Sequence, residues 1–287
     1  MKNWLKHILK KQFLYYFIKD RFSATVQIGQ RNLYLQYREQ LKNNTLPKLN
    51  ETGFRVFSQF EEDGKLLFIF SIIGMTNKTF IEFGSDDGIN SNSANLYFHH
   101  NWTGLFMDGN KKAIERGKYF FGKYPHKHMY PPKFIYSYIN RGNINELIKS
   151  AGLSGEIGLL SIDIDGNDYW IWDKIDIVQP QVVIIETHNE FGLNDIIVPY
   201  DPNYMYPGKH PIYHGASPIA MTKLAKKKGY RLVGSNDFGY NFIFIKNGLV
   251  ENEIPEVSIE SLLQHPSNQD AVKRFEPIKD WEYINVD

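Results

Sequence analysis

From residue 58 onward, short apolar runs alternate with segments whose apolar positions recur every three or four residues. The runs at 79–83, 103–107, 133–139, 157–164 and 181–186 have the length of strands, and the segments near 61–74, 91–100, 110–119 and 143–151 have the period of helices. Strands alternating with helices predict a parallel sheet with helices on both faces. After a long connection, a helix at 217–228 leads to a strand at 230–234. A short Gly-containing turn returns the chain as a strand at 241–246, which predicts an antiparallel pair at the sheet edge. The fold class expected is α/β: seven strands, mostly parallel, with the last one antiparallel.

Leu5, Ile8, Leu9, Phe13, Tyr16 and Phe17 fall at helical spacing with lysines between them, so residues 3 to about 42 read as an amphipathic helical arm, in two helices. Such an arm packs on the body or on a second copy, or lies on an anionic membrane surface. A break at 43–47 gives three segments: an arm over 1–50, a main domain over 51–250 and a polar C-terminal tail over 251–287 with one short helix near 257–264. The chain has 287 residues, 42% hydrophobic and 15% aromatic, enough for one substantial core. Its net charge of +1 offers no bulk attraction for nucleic acid. With no cysteine, disulfides, thiolate catalysis and Cys-ligated zinc are excluded, in keeping with a cytoplasmic protein. The apolar run 13–18 is too short for a signal-peptide core or a membrane span. Residence in the cytoplasm, including the inner face of the membrane, is the expectation.

The stretch Phe80-Ile81-Glu82-Phe83-Gly84-Ser85-Asp86-Asp87-Gly88 carries the first chemical signal, because an apolar strand runs into an acidic turn bearing two glycines. Strand, acid and Gly-x-x-x-Gly together have the form of a nucleotide-cofactor loop in a doubly wound sheet. A dinucleotide fingerprint needs glycine where Ser85-Asp86-Asp87 stands, and two carboxylates repel a pyrophosphate. They suit a ligand with a cationic end, such as the amino group and sulfonium of S-adenosylmethionine (SAM). About 20 residues on, a second apolar run ends in Asp108, an acid placed to accept ribose hydroxyls at the tip of the next parallel strand. The plainer reading is a tight turn with Asp86 or Asp87 capping the next helix.

The ordered set Ser58-Gln59-Phe60-Glu61-Glu62-Asp63-Gly64, Ile81-Glu82-Phe83-Gly84, Gly104-Leu105-Phe106-Met107-Asp108-Gly109, Leu160-Ser161-Ile162-Asp163-Ile164-Asp165-Gly166-Asn167-Asp168-Tyr169-Trp170, Val183-Ile184-Ile185-Glu186 and His214-Gly215-Ala216-Ser217 resembles the FkbM-like branch of the class I SAM-dependent methyltransferases, the kind found with surface-polysaccharide genes. The resemblance covers roughly residues 55–246 and departs from the family at Glu61, where glycine is expected. It implies a Rossmann-like sheet and SAM as cofactor. Glu82, Gly84, Ser85 and Gly88 would shape the methionine pocket, Asp108 would hold the ribose, and Ser137 and Tyr138 would approach the adenine. Gln59, Asn92 and Asp163 are further cofactor candidates.

The fourth strand delivers Asp163, Asp165 and Asp168, and the fifth delivers Glu186, His188 and Asn189, to the same sheet edge. Clustered carboxylates repel unless one is protonated or a cation lies among them. Asp163 and Glu186 are the first candidates for ligating Mg²⁺ or Mn²⁺, with Asp165 and His188 next. Asp163, Asp165 and His188 are the catalytic candidates, with Asp165 or His188 as general base. A metal-free acid/base site is the alternative, as is a structural role in which Asp163 holds the cofactor and residues 165–168 cap a helix.

The long connection 188–216 carries Tyr200, Tyr204, Tyr206 and Tyr213, and reads as an acceptor-binding lid or a packed surface loop, with His210 and His214 near enough in sequence to reach the centre. Lys111, Lys112, Arg116, Lys118, Lys123, His126, Lys127, His128 and Lys133 form a basic segment, suited to the phosphates of a nucleotide-linked sugar or simply solvated. The reading is an O-methyltransferase for a sugar hydroxyl of a surface glycan or its nucleotide-activated precursor. The alternatives are a phosphoramidate, lipid or small-metabolite acceptor, or a silent scaffold of glycan assembly.

Overall fold

The computed structural model describes residues 13–123 and 131–286; expectations resting on residues 1–12 and 124–130, among them Leu5, Ile8, Leu9, Lys2, Lys6, Lys10, Lys11, His126, Lys127 and His128, lie outside the described residues. Seven strands form one sheet in the order β3-β2-β1-β4-β5-β7-β6. They are β1 (Thr79–Phe83), β2 (Thr103–Asp108), β3 (Lys133–Tyr136), β4 (Gly155–Ile162), β5 (Val178–Glu186), β6 (Tyr230–Ser235) and β7 (Asn241–Lys246). β1 to β5 run parallel, and β7 pairs antiparallel with both β5 and β6. The mostly parallel α/β sheet with a reversed last strand is therefore the one the hydrophobic pattern predicts.

Alternate residues of each strand feed cores on opposite faces. Phe80, Phe106, Ile184 and Ile243 join one, and Ile81, Phe83, Leu105, Met107, Ile185 and Phe242 the other. Both faces are covered, which is why these strands read as continuous apolar runs. The covering helices are α1 (Ala24–Lys42), α2 (Glu62–Ile73), α3 (Ala94–His100), α4 (Lys111–Lys123), α5 (Ile144–Ser150), α6 (Asp168–Lys174), α7 (Pro218–Lys227), α8 (Ile259–Leu262) and α9 (Pro266–Phe275). Among the described residues, no helix is long and apolar enough to cross a membrane.

Several strand limits differ from expectation, three of them by two residues or more for a local reason. β3 stops at Tyr136 rather than 139, and β4 ends at Ile162 rather than 164, where the Asp168 carboxylate takes the Ile164 N–H. β5 starts at Val178, ahead of Pro180, because β7 pairs with it only from Val182; at Pro180 the strand lies at an edge, where the missing N–H costs no ladder bond.

Residues 13–18 are helical and lead through a 3₁₀ turn to α1, whose N-terminus is capped by the Ser23 hydroxyl accepting from Val26 N–H. The arm packs on the body: the Phe22 ring meets Phe57 and Phe98, Tyr37 meets Phe68, and Gln30 and Asn95 exchange buried amide hydrogen bonds at 2.8 and 2.9 Å. The C-terminal segment, expected as a polar tail with one helix, has a second, α9, and buries Ile254, Ala271 and Ile278. Ile284 forms an isolated bridge to Ile197.

The β1 turn is held by a backbone contact that permits no side chain. Gly84 has φ +71°, and a Cβ there would lie 1.5 Å from the Asp163 carbonyl oxygen. Gly74 also has positive φ, at +93°, but has open space around it. Gly74→Ala is therefore expected to cost about 1 kcal/mol of backbone strain. Gly84→Ala is expected to cost more than about 3 kcal/mol by urea denaturation, since the β1 and β4 ends must separate; equal losses would refute the close approach.

Candidate active site

The parallel register places the ends of β1, β2 and β4 side by side: Phe83 pairs with both Met107 and Ile162. Beyond them lie the turns starting at Gly84, Asp108 and Asp163, where the strand order reverses direction between β1 and β4 and ligands of such sheets bind. Asp108 shapes this edge by accepting from Asp86 N–H at 2.8 Å and Asn110 N–H at 2.6 Å. Burial, followed by the charges of Asp86 and Asp165, raises its pKa above the usual carboxylate value, against the two N–H bonds.

The expectation that Asp86 and Asp87 both offer free negative charge to a cationic ligand is corrected for Asp87, which is buried behind an arginine. Arg116 of α4 donates to Asp87 at 2.5 Å and to Asp86 at 2.9 Å, so one guanidinium balances one of the two charges, and Asp86 remains exposed in the cavity lining. The same contacts remove Arg116 from the basic segment as a phosphate receptor, and Lys133 donates to the Ala151 carbonyl.

A cavity of about 470 Å³ opens over these turns, lined by Gln59, Gly84, Asp108, Ser137, Tyr138, Asp163 and Asp165 among others. That volume suits a small-molecule ligand. Tyr138 is exposed and its ring crosses Gly109, leaving an aromatic face at the rim. Glu82, Ser85, Gly88 and Asn92, expected as cofactor contacts, do not line the cavity. They build its floor from behind. Glu82 accepts from Asn92 N–H at 3.0 Å and Ser93 N–H at 2.9 Å, Asn92 donates to the Ser161 hydroxyl, and Ser85 and Gly88 close the turn through a 2.7 Å backbone bond.

Gln59 is presented by a loop that buried acids fix. Asp63 Oδ2 accepts from the N–H groups of Val56, Phe57 and Ser58 at 2.7, 2.5 and 2.9 Å, and burial pushes its pKa up to about 6. Glu61, the departure from the family pattern, has a local role: it accepts from the buried Lys65 ammonium at 2.8 Å and from Asp237 N–H, tying α2 to the β6–β7 turn.

A second cavity, of about 330 Å³, adjoins the first and shares Gln59, Asp163, Asp165 and Tyr206 with it. Its far wall carries Glu186, His188, Glu190, His214 and Arg274. Asp163, Asp165 and Glu186 bring carboxylate oxygens within 4.8 Å of one another. Burial first, then neighbouring carboxylates, raises Asp163 and Glu186 well above their ordinary values. Burial and the nearby His214 hold His188 well below the usual imidazole value. Asp168, read as part of the acidic centre, is instead the lock of the turn before α6, accepting from Ile164 and Gly166 N–H at 2.8 and 2.9 Å. Asn189 likewise spends its side-chain N–H groups on the Phe238 carbonyl and Asn268.

The tyrosine-rich connection divides its residues. Tyr204 and Tyr206 line the cavities, whereas Tyr200 accepts from Arg141 N–H and Tyr213 donates to the Glu282 carbonyl. Tyr204 fits a slot between Gly166 and Gly208, either of which would clash with its ring if given a Cβ. His214 reaches the centre, with its ring 4.0 Å from that of His188, while His210 packs against Trp281. A larger cavity of about 730 Å³ lies elsewhere, between residues 46–50, residues 253–265 and the end of β6 at 233–237.

No family model matches this chain, and no curated protein matches it. Solved structures do. Magnesium protoporphyrin IX methyltransferase from Synechocystis PCC 6803, with SAM bound, is 9% identical at a TM-score of 0.40, over 65% of this chain and 78% of that one. A methyltransferase from Podospora anserina bound to S-adenosylhomocysteine (SAH) is 13% identical at 0.41, over 75% and 87%. An O-methyltransferase family protein from Burkholderia thailandensis is 10% identical at 0.37, over 77% and 72%. Likeness this loose carries no argument about activity.

Glu82 yields a pH prediction. Burial pushes its pKa up to about 7 from 4.5, against the opposing bonds from Ser93 and Asn92. Between those values the folded chain keeps a proton that the unfolded chain has released, so this contribution to stability is complete below about pH 4.5 and is lost as pH rises through 7. Glu82→Gln removes that slope while leaving those of the other acids. Its urea midpoint is expected to fall less than wild type's between about pH 5 and 8; parallel curves would contradict a raised Glu82.

Proposed function

We propose that this chain is a SAM-dependent O-methyltransferase acting on a sugar hydroxyl of a surface glycan, of the capsule or lipopolysaccharide kind, or of its nucleotide-activated precursor. The observation that carries the reading is the pair of adjoining cavities at the carboxyl edge of the sheet, sharing a wall made by Asp163 and Asp165. One cavity receives the donor and the other the acceptor.

The residues present fit such a donor. Gly84 leaves the β1 turn without a side chain, Asp108 stands at the tip of β2 for the ribose, and Tyr138 and Ser137 lie at the rim for the adenine. SAM, when bound, supplies a methyl group on a sulfonium. The chain's own contribution is mainly orientation, worth roughly 7–11 kcal/mol where reacting groups are held in line. His188, kept neutral by burial, is able to accept a hydroxyl proton, and exposed Asp165 stands on the wall between the two cavities as the other candidate base. Asp163 and Glu186 would hold Mg²⁺ or Mn²⁺, which would make a ligated hydroxyl more acidic. The ring of Tyr206 offers a surface for a sugar in the acceptor cavity.

Exposed Phe13, Tyr16, Phe17, Ile28 and Leu35 on the arm support peripheral contact with a membrane or with a second copy of the chain.

Methyl-labelled SAM, incubated with a panel of sugar nucleotides, phosphoramidates, lipids and small metabolites, tests the acceptor class. The expected result is label in a sugar nucleotide or glycan, with Asp165→Asn lowering the rate about 10²–10⁴-fold if Asp165 is the base. Label confined to the other acceptors would overturn the sugar assignment, and label in none would favour the scaffold.

A further inference from the structure

The strongest unassigned arrangement is the inner wall of the acceptor cavity. Glu186, His188 and His214 each offer a ligand atom within 4.8 Å of the others. His188 is 7% exposed and His214 is 5% exposed, so both imidazoles are more than nine-tenths buried. Glu186 Oε2, His188 Nε2 and His214 Nδ1 are all buried without a hydrogen-bond partner. Three unsatisfied polar atoms in one buried cluster would be costly without something to bind them.

The opposite nitrogen of His214 is hydrogen-bonded, and that of His188 looks toward a carboxylate. His214 Nε2–H donates to the Pro211 carbonyl at 2.9 Å, which leaves Nδ1 with its lone pair. His188 Nδ1 faces the Glu190 carboxylate at 3.7 Å, and its Nε2 faces Glu186 at 3.8 Å. Glu190 is itself held by Arg274 of α9 at 2.8 Å. A second nitrogen oriented by a carbonyl, as in His214, is the arrangement that metal-ligating histidines use; at 3.7 Å Glu190 acts on His188 through its charge rather than a hydrogen bond.

We propose that Glu186 oxygen, His188 Nε2 and His214 Nδ1 hold a divalent transition-metal ion, with remaining coordination positions open to the acceptor cavity. Two imidazoles and one carboxylate favour a borderline ion such as Zn²⁺, Fe²⁺ or Co²⁺ over the hard Mg²⁺ that an all-carboxylate set would take. This ligand set replaces Asp163 and Glu186 as the metal site and takes His188 out of the role of base, leaving Asp165 for it. An oxygen bound there would lie in the acceptor cavity, whose lining also includes Asp163 and Asp165. The metal site stands independently of the methyltransferase reading.

The test is titration of chelator-treated full-length protein with Co²⁺, followed by visible d–d absorption, with SAH binding and thermal unfolding measured on every variant. One ion per chain is expected, displaced by Zn²⁺ and insensitive to excess Mg²⁺. His188→Ala and His214→Ala should each abolish the band. Glu190→Gln, which leaves all three ligands and serves if a histidine variant fails to fold, should weaken binding about 10–100-fold. No band in wild type, a band unchanged in folded histidine variants or in Glu190→Gln, or one lost in Asp163→Asn but kept in them would overturn the proposal. Failure to bind SAH alongside intact Co²⁺ binding would refute the proposed function and leave this site standing.

Discussion

Burying carboxylates without a matching cation is the constraint on which the rest of this molecule turns. Glu82, Asp163, Asp168 and Glu186 all lie at the carboxyl ends of β1, β4 and β5, and desolvation raises the pKa of every one. Among the described residues, no lysine or arginine forms an ion pair with any of them; Arg116 is committed to Asp86 and Asp87, and Arg274 to Glu190. Glu82 and Asp168 are satisfied by backbone N–H groups and hold the turns that follow β1 and β4. Asp163 and Glu186 have no such partners, and they face the cavities. An uncompensated group in a low-dielectric site is a store of interaction energy for a proton, a cation or a substrate.

Segments outside the sheet serve this centre. The connection after β5 brings Tyr204, Tyr206 and His214 over the strand ends, with Tyr204 seated between two glycines. The C-terminal segment reaches the same wall through Arg274, which positions Glu190 behind His188. A change in α9 can thus be felt at the site without touching a ligand.

Much of the sheet was legible because its strands are buried on both faces and its helices follow a 3.6-residue period. The site was legible only in part. Asp108, Asp163 and Asp165 stand at strand tips that the register of neighbours aligns, so their convergence follows from topology. Arg116 was read as part of a basic face, because nothing local in α4 reveals that it bridges to Asp86 and Asp87 across 30 and 29 positions. Asp168 looked chemical and is a turn lock, a distinction set by two backbone N–H groups whose directions no residue pattern encodes. His210 and His214 were equivalent in sequence and are separated by the course of an irregular loop. α9 was missed because its polar surface hides a single buried face around Ala271.

The proposed function requires that the cavity between Gly84 and Asp108 bind an adenosyl ligand. Calorimetric titration of SAH into wild type and Asp108→Ala, with and without divalent metal, examines that binding. Saturable binding at one site per chain, weakened at least about tenfold in the folded variant, is the predicted result, since a hydrogen bond to a charged group contributes about 1.5–3 kcal/mol. Absence of binding in wild type under every condition, or equal affinity in the variant, would contradict it.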